Sequence, residues 1–568
     1  MKKIVFLISF LILFFFGMTN SVLADRVGDT QSFFIDSSYD LSNRKQLTAV
    51  LVKTSPRLFF YIDEDWWNFN SQDKKNEIQK SLDILSQEFD QKIYPTIVNV
   101  FGSEWTPGID NKPQITLLIH PMAESFGGYF RSNDEYFKLQ VADSNEREML
   151  YLNSKYIDSP LIKGFLAHEF MHLVTFNWKE RINNVTEETW LNEARADYIS
   201  TLLGYDDVLE GSNLERRIRD FLDNPSDSLI EWQNKKSDYA IVNLFTQYLV
   251  DQYGVVILVD SLRSSKTGIE SINYALKKNN FKEDFSQIFT DWTIAVLIND
   301  CNYGLKYCYL NKNLKNFHII PRINFLPLSG ESSLFFSDLT KRWTGNWYKI
   351  IGGGGTLKLS FVAGQDTDFR VSYIIINRAG GYNVRFFELN KERKAETRIE
   401  NFGTEINGVV IIPSLVQKTE TSSDVSSYYF FSWKASIERS SEDEVIKQLL
   451  AKIEFLKEEI NRVQSQIQEI LGKNQEFLCF QLNSDLYFGL RNNQEVRCLQ
   501  YFLKTQGKDI YPEGIISGNF LSLTKLAVIR FQEKYASEIL GPFGLVRGTG
   551  YVGPETRKKI NQLLKLVK

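Results

Sequence analysis

Residues 159–176 read SPLIKGFLAHEFMHLVTF, and they carry the strongest structural signal in the chain. Apolar residues recur there at spacings of three and four, which predicts a helix with one face in a core. His168 and His172 stand four residues apart, so a helix places both imidazoles on the same face. Two imidazoles so placed can bind one metal ion, and Glu169 is positioned to take a proton from a metal-bound water. The alternative is an ordinary helix with two exposed histidines.

A catalytic zinc ion needs a third protein ligand and keeps its fourth position for water. A histidine three or six residues past the motif is excluded, because Thr175 and Trp178 occupy those positions. A glutamate on a second helix is the other common choice. Glu193, twenty-one residues after His172, supplies one.

The second helix is predicted over Thr189–Tyr198, which reads TWLNEARADY. Asp197 lies one helical turn beyond Glu193 on the same face, and we expect it to accept the spare N–H of a ligand histidine. Glu187 and Glu188 are competing third ligands, but neither has an asparagine before it and an aspartate four residues after it.

With these residues the chain resembles the gluzincins, the thermolysin-like zinc metallopeptidases. Their second-helix pattern N-E-x-x-x-D appears here as residues 192–197. Within that group the motifs are most similar to the hyicolysin-like peptidases, over about residues 50–260. The matching stretches are FGSEWTPGID (101–110), GGYF (127–130), SNEREMLYLN (144–153) and EETWLNE (187–193).

The resemblance implies an α+β zincin domain over residues 25–320 that hydrolyses peptide bonds. It implies that His168, His172 and Glu193 bind Zn²⁺ and that Glu169 is the general base. Tyr239 is the candidate second donor to the oxyanion, with a tyrosine at a helix edge as the alternative. Substrate is expected to pair with an edge strand, for which MLYLN (149–153) is the candidate.

The first residues indicate export. Lys2 and Lys3 precede an apolar run of 13 residues, Ile4–Phe16, and SVLA (21–24) follows. Such a run is shorter than the about 20 residues of a spanning helix. We therefore predict a signal peptide over residues 1–24, no membrane span after its removal, and a secreted or cell-wall-associated protein. A membrane anchor is the alternative.

The cysteines and the charge balance narrow the class of protein. Cys301 and Cys308 are close in sequence, as are Cys479 and Cys498, which predicts two local disulfides rather than four free thiols. The chain has 66 basic and 70 acidic residues, a net charge of -4. That balance argues against an extended nucleic-acid partner.

Three further regions follow the first, as expected for 568 residues. Short alternating runs separated by glycine turns predict a β-sandwich over residues 325–440. A heptad pattern over 441–473 predicts a coiled-coil helix, either a homo-oligomerising stalk or a helix packed on a neighbouring domain. Residues 476–568 predict a small all-α domain. This region contains a short internal repeat: a glycine, Gly518 or Gly550, is followed six residues later by a threonine. We expect each of these threonines to cap a helix.

This last region resembles the small peptidoglycan-binding domain of bacterial wall hydrolases. The matching stretches are VRCLQYFL (496–503), YPEG (511–514), AVIRFQ (527–532) and GPETR (553–557). The resemblance implies peptidoglycan as a partner, and a plain three-helix interaction module is the alternative.

Together these patterns predict an exported zinc endopeptidase held at the cell wall, acting on proteins or on the peptide stems of peptidoglycan. The competing hypothesis is a non-catalytic wall-binding or adhesive protein with a retired peptidase fold. The acids Asp110, Asp134 and Glu135 could bind calcium or could simply be solvated.

Overall fold

The computed structural model describes residues 25–327, 332–416, 428–438, 442–471, 479 and 481–566. The signal peptide predicted over residues 1–24 therefore lies outside the described residues. The chain divides into two compact units, with the boundary between Gln448 and Leu449. The protein is multidomain and combines helices with mixed sheets.

The first unit opens with a six-stranded sheet in the order β1-β2-β3-β4-β6-β5. Its strands are β1 (Thr30–Phe34), β2 (Gln46–Thr54), β3 (Leu58–Asp63), β4 (Ile115–His120), β5 (Gly128–Phe130) and β6 (Met149–Asn153). β3, β4 and β6 are parallel, and β5 runs antiparallel to β6. Every residue of β3, β4 and β6 is buried, as expected for the strands in the middle of such a sheet.

This order corrects one expectation about the substrate strand. Met149–Asn153 is β6, an interior strand paired with β4 on one side and β5 on the other. The sheet edge is β5 instead, and it has one strand partner among the described residues. The apolar pattern of MLYLN reflects burial on both sides rather than an exposed edge.

Within the described residues of the first unit, ten α-helices follow β3 in the sequence. They are α1 (Glu64–Phe69), α2 (Gln72–Glu88), α3 (Tyr94–Phe101), α4 (Ile162–Phe176), α5 (Thr189–Leu202), α6 (Asn213–Asp223), α7 (Lys236–Tyr253), α8 (Val256–Arg263), α9 (Gly268–Lys278) and α10 (Phe285–Ile298). The periodicity of residues 159–176 is confirmed as α4, and the second predicted helix as α5. The side chains of Phe170, Trp190 and Trp292 are almost wholly buried where these helices meet.

The strands predicted over residues 325–440 are present, but they belong to one sheet rather than to the two sheets of the predicted β-sandwich. These strands are β7 (Arg322–Leu326), β8 (Ser333–Thr340), β9 (Tyr348–Gly352), β10 (Gly355–Ala363), β11 (Phe369–Asn377), β12 (Tyr382–Phe387), β13 (Lys394–Phe402), β14 (Ile406–Leu415) and β15 (Tyr429–Glu438). Hydrogen bonds connect all of them into one nine-stranded sheet, because β14 pairs with β11, β13 and β9. Leu359, Phe361 and Trp433 lie in its core.

The heptad region forms one continuous helix, α11 (Glu442–Leu471). Ile446, Ile453 and Ile460 of its apolar seam are 55%, 49% and 56% exposed. The second unit continues with α12 (Gln494–Thr505), α13 (Ser522–Lys534), α14 (Ala536–Ile539) and α15 (Pro554–Leu566).

The internal repeat in the second unit has a structural basis in two buried glutamines. The side-chain amide of Gln500 donates to Thr524 at 2.9 Å, and its oxygen accepts from the backbone N–H of Gly518 at 2.8 Å. Gln532 makes the same contacts, with Thr556 at 3.0 Å and Gly550 at 2.9 Å. The sequence predicted that these threonines cap helices. In the structure they are instead hydrogen-bond partners of the two glutamines.

Both predicted disulfides, Cys301–Cys308 and Cys479–Cys498, are present. They are compatible with an extracytoplasmic protein. No single helix within the described ranges has both the length and the apolar composition to cross a bilayer. One sharply bent pair, α7 with α8, reaches that length and composition only when its two helices are taken together.

Candidate metal centre

Helices α4 and α5 bring three of the predicted site residues together. The Nε2 atoms of His168 and His172 lie 3.1 Å apart. Nε2 of His168 lies 3.2 Å from Oε2 of Glu193, and Nε2 of His172 lies 3.7 Å from Oε1 of the same carboxylate. Among the described residues, this is the group of three metal-ligating side chains whose ligand atoms all lie within 4.8 Å of one another.

The orientation of His172 depends on a residue that the sequence analysis did not single out. Its Nδ1 atom lies 3.0 Å from the side-chain oxygen of Asn192, which can accept the N–H of that nitrogen. A proton on Nδ1 leaves the lone pair of Nε2 facing His168 and Glu193. Asn192 stands directly before Glu193 in the N-E-x-x-x-D pattern. The motif therefore contained this residue, but the pattern alone did not indicate that it contacts a histidine.

Asp197 does not have the contact expected of it. Its carboxylate accepts hydrogen bonds from Arg217 at 2.7 and 2.9 Å, from Asn243 at 2.8 Å and from Asn213 at 3.1 Å. Burial opposes its charged form, but Arg217 lowers the pKa of Asp197 to about 2. The residue therefore ties α5 to α6 and α7, and Asn192 makes the contact to the histidine.

The competing ligands Glu187 and Glu188 are engaged elsewhere. Glu187 pairs with Arg195 at 2.8 Å and with Lys179 at 3.2 Å, and all three side chains are at most 2% exposed. Burial favours protonation, but the two cations lower the pKa of Glu187. Glu188 accepts the indole N–H of Trp190 at 2.6 Å. These contacts join the segment between α4 and α5 to α5 itself.

The electrostatics of the site favour a cation. Burial disfavours the charged imidazole of His168, yet the carboxylates of Glu193 and Glu169 raise its pKa to about 9. Burial raises the pKa of Glu169 to about 8, with the negative charge of Glu193 adding to the effect. Two buried carboxylates beside two imidazoles thus hold positive charge at this point, as a proton or as a metal ion.

The residues present fit a zinc ion on the chemistry of their donor atoms. Two imidazole nitrogens and one carboxylate oxygen are a common catalytic zinc set. Oε2 of Glu193 is buried and has no well-aligned hydrogen-bond donor, although Nε2 of His168 lies 3.2 Å from it. The two facing Nε2 atoms cannot both carry a proton, so at least one presents a lone pair to the shared space. Each observation is explained by a cation among these three atoms.

The edge strand β5 lies against the helix α4. A Cβ atom on Gly128 would lie 2.5 Å from the backbone oxygen of Tyr151 and 3.2 Å from Cγ of Glu169. A Cβ on Gly127 would lie 2.5 Å from the ring of Phe165. The two glycines of the GGYF stretch therefore allow the backbone of this strand to approach α4 closely, directly beside Glu169.

Two tyrosines from distant parts of the sequence lie within electrostatic range of Glu193 and Glu169. Burial and the charges of Glu193 and Glu169 raise the pKa of Tyr239, on α7, well above its usual range. The hydroxyl of Tyr239 donates to Asn234 at 3.0 Å. Burial and the same two carboxylates raise the pKa of Tyr39 to about 12. The ring of Tyr39 stacks on Tyr129 of β5 with centroids 4.5 Å apart.

Tyr39 had no signal in the sequence, because it lies in an irregular segment far from the H-E-x-x-H motif. That segment is fixed to the sheet through Asp40, which pairs with Arg44 at 2.8 Å and lies 3.3 Å from Nδ1 of His120. The backbone oxygen of Tyr39 accepts from Ala123 at 3.0 Å. The phenol is thereby held beside β5.

Comparisons with known proteins add no assignment. No protein-family model matches the chain, and no curated protein matches it. A Yersinia pseudotuberculosis-derived mitogen is 11% identical, with 20% of this chain and 92% of that chain covered and a TM-score of 0.15. The pre-peptidase C-terminal domain of a Bacillus anthracis collagenase is 6% identical, with 21% and 95% covered and a TM-score of 0.15. A GH115 4-O-methyl-α-glucuronidase is 8% identical, with 58% and 52% covered and a TM-score of 0.12. Similarities this weak carry no argument about this chain.

Proposed function

We propose that this protein is an exported zinc-dependent endopeptidase of the gluzincin type. One observation carries the proposal: the ligand atoms of His168, His172 and Glu193 converge within 4.8 Å of one another. Glu169 stands beside them on the same helix and is buried. The zincin identity of the first domain rests on this arrangement together with the motif resemblance.

The chemistry divides among few groups. A zinc ion bound by the two histidines and Glu193 supplies an acidified water and positive charge for the carbonyl oxygen of the substrate. Glu169 takes the proton of the attacking water and passes it to the leaving amine. Burial raises the pKa of Glu169 when the site holds no metal, and the positive charge of a bound zinc ion would lower it toward the ionised form that a base requires. Tyr239 and Tyr39 are the candidate donors to the oxygen that becomes negative.

Substrate binding is assigned to β5. An extended peptide can add to a free sheet edge through main-chain hydrogen bonds, and Gly128 brings that edge next to Glu169. A peptide lying there would pass its scissile bond in front of the general base. The ring of Phe130 lies beside His172, with centroids 6.5 Å apart, and would contact the substrate next to that bond.

We propose that the remaining regions hold the peptidase domain at the cell wall. The C-terminal helices are proposed to bind peptidoglycan, which would hold the peptidase at the cell wall. The helix α11 is proposed as a coiled-coil stalk, and the β-rich region as a spacer or accessory binding domain. A peptidase held at the wall would have access to two kinds of substrate, wall-associated proteins and the peptide stems of peptidoglycan.

The deciding experiment uses the full chain without residues 1–24, compared with Glu169→Gln. We expect one zinc per chain in both proteins, and cleavage of casein by the unsubstituted protein only, with kcat lowered about 10²–10⁴-fold in the variant. Cross-linked peptidoglycan stems are tested in parallel. Zinc without cleavage of either substrate would favour the non-catalytic wall-binding or adhesive protein. Absence of zinc would overturn the proposal.

A further inference from the structure

A cavity of about 600 Å³ lies where the helix α10 meets the β-rich region, residues 322–438. Gln287 and Thr290 of α10 form one side of it. Residues around the start of β11 and the turn between β12 and β13 form the other, and none of them belongs to the candidate metal centre. The volume is within the range of ligand-binding pockets, which occur preferentially where two domains meet.

The two sides of the cavity are joined by a common hydrophobic core. Phe289 and Trp292 of α10 belong to the same buried cluster as Ile374 of β11. The indole N–H of Trp347 also donates to the backbone oxygen of Thr293 on α10, at 2.8 Å. The cavity therefore lies between packed elements, and its walls are held in place relative to the helices of the first unit.

The lining of the cavity is positively charged. Arg370, Lys391 and Arg393 line it together with one acid, Asp368. Arg393 has a distant ion pair, 3.8 Å from the carboxylate of Asp366, whose side chain is fully exposed. A ligand with negative charge would meet three cations in one place, so the cavity favours anions.

Arg370 is oriented by α10. Its Nη1 atom donates to Oε1 of Gln287 at 2.7 Å, and the amide nitrogen of Gln287 donates in turn to Asp291 at 3.0 Å. Within the part of the chain that the structure describes, this is the one hydrogen bond of the Arg370 side chain. A guanidinium has five N–H donors in a planar fork, which matches a carboxylate in geometry. Most of these donors remain for a ligand.

Arg393 occupies a backbone position that does not favour arginine. Its φ is +59°, a left-handed conformation that glycine and asparagine adopt most easily. The turn is held by Asn390, whose side-chain oxygen accepts from the N–H groups of Glu392 at 2.9 Å and Lys394 at 3.0 Å. The turn gives no reason for a long cationic side chain at this position, whereas the place of that side chain in the cavity wall does.

An apolar surface lies beside the cations. Phe386 and Leu389 line the cavity, and Phe386 is 46% exposed. Phe386 stands opposite Ser372 in the pairing of β11 with β12. Because alternate residues of a strand share a face, Arg370 lies on the same face of the sheet as Ser372 and Phe386. A ligand here therefore contacts a cation and an aromatic ring together.

We propose that this cavity binds an acidic segment of a polypeptide, with its carboxylates on Arg370 and Arg393 and an apolar side chain against Phe386. An inorganic anion would leave the aromatic surface unused, and a neutral peptide would leave the arginines without a partner. Binding itself does not depend on peptidase activity. A role in docking protein substrates does rest on the proposed function, and it would follow because the cavity and the candidate metal centre lie in the same compact unit.

The test measures binding to the full chain without residues 1–24, carrying Glu169→Gln so that peptides are not consumed. The probe is a fluorescein-labelled hexapeptide that alternates leucine and glutamate. Its neutral match alternates leucine and glutamine. Fluorescence anisotropy gives the Kd of each peptide, and unlabelled competitors are titrated against the bound probe.

The variants remove one feature of the cavity at a time. They are Arg370→Gln, Arg370→Gln/Arg393→Gly and Phe386→Ala. Glycine at position 393 removes the cation and suits the left-handed backbone, so this change does not threaten the fold. The matched control, Lys358→Gln/Arg398→Gln, removes two cations that stand opposite each other on β10 and β13, outside the cavity lining. Circular dichroism verifies that each variant is folded.

We expect the glutamate peptide to bind the parent about tenfold or more tightly than the glutamine peptide. Its Kd should rise about 10–100-fold in Arg370→Gln/Arg393→Gly, because hydrogen bonds to charged groups are lost. The Kd should rise several-fold in Phe386→Ala and stay unchanged in the control. Equal Kd values for the two peptides, or for the parent and the double arginine variant, would overturn the proposal. So would stronger displacement by polygalacturonate than by the unlabelled peptide, which would assign the cavity to an acidic polysaccharide.

The docking role is tested separately on protein that keeps Glu169. With casein as substrate, Arg370→Gln/Arg393→Gly should raise KM about tenfold at unchanged kcat, as expected when binding away from the reacting bond is lost. A short neutral peptide should be cleaved equally by both proteins. An unchanged KM for casein would overturn the docking role. If the parent cleaves neither substrate, the proposed peptidase function fails, and the anisotropy result still decides the binding site.

Discussion

Nδ1 of His172 lies 3.0 Å from the side-chain oxygen of Asn192, one residue before the proposed ligand Glu193. The contact joins α4 to α5 at the centre of the site and selects the tautomer that leaves Nε2 free. A ligand residue and the group that orients its partner are thus adjacent in sequence, so a single helix supplies both.

Removing the amide oxygen tests this relationship. Asn192→Ala should lower zinc affinity about 10–100-fold, the usual effect of losing the partner that orients a ligand histidine. Competition with a chromogenic chelator measures it. Asn192→Asp keeps an acceptor at the same place and should retain most of the affinity. Equal affinity in Asn192→Ala and the parent would contradict the assigned role.

The two tyrosines should affect turnover rather than metal binding. Tyr239→Phe or Tyr39→Phe removes only a hydroxyl, and loss of one donor to an oxyanion costs about 10²–10³ in kcat. We expect the larger loss for whichever residue donates, with zinc content unchanged. The exposed Tyr274→Phe is the control and should be fully active. If both variants keep the parental kcat, neither phenol is the donor.

The close approach of β5 to α4 can be tested with two alanines. Gly128→Ala would place a methyl group 2.5 Å from the backbone oxygen of Tyr151. The strand must then move away from Glu169, so we expect weaker peptide binding and a raised KM. Gly164→Ala, on α4, meets only Ser200 at 3.6 Å. It should stabilise the helix by about 0.5–1 kcal/mol and leave KM unchanged.

The Asp197–Arg217 pair should make stability depend on acid pH. The pKa of Asp197 is lowered from 3.8 to about 2 in the folded protein. A lowered folded pKa contributes stability above the unfolded value, and that contribution is lost as the pH falls toward 2. The stability difference between the parent and Asp197→Asn should therefore shrink by about 2 kcal/mol between pH 4 and pH 2. Calorimetric unfolding measures this, and a constant difference would contradict it.

The repeated glutamines of the second unit should be equally important for its stability. Gln500→Ala or Gln532→Ala would leave a buried backbone N–H without its acceptor, at a cost of about 2–4 kcal/mol. The calorimetric transition of the second unit reports the loss. Gln494→Ala, exposed at the start of the same helix as Gln500, should be nearly neutral. A large loss for only one of the two glutamines would show that the repeats are not equivalent.

Local regularities were readable from the sequence. The spacing of His168 and His172, the helix around them and the two cysteine pairs all follow from short-range patterns. Helix and strand geometry repeat every few residues, so a periodic pattern reports them directly. The candidate ligand Glu193 came from a family pattern, and its meeting with the histidines was an expectation.

Such patterns do not predict which side chains of different helices and strands contact each other. Asp197 and Asn192 are both suitable partners for a histidine by residue type, and only the packing of α5 against α4 decides that Asn192 makes the contact. MLYLN is apolar whether it lies at an edge or in the interior, and the sheet order decides which.

By itself, therefore, the sequence determined which residues share one face of one helix or strand, because that depends on a fixed local repeat. Only the tertiary structure decided which faces meet. It placed Tyr39 beside β5, Gly128 beside Glu169, and Asn192 beside His172. Such contacts depend on the path of the loops that connect the helices and strands. The number of residues between two positions does not determine the distance between them in the folded protein.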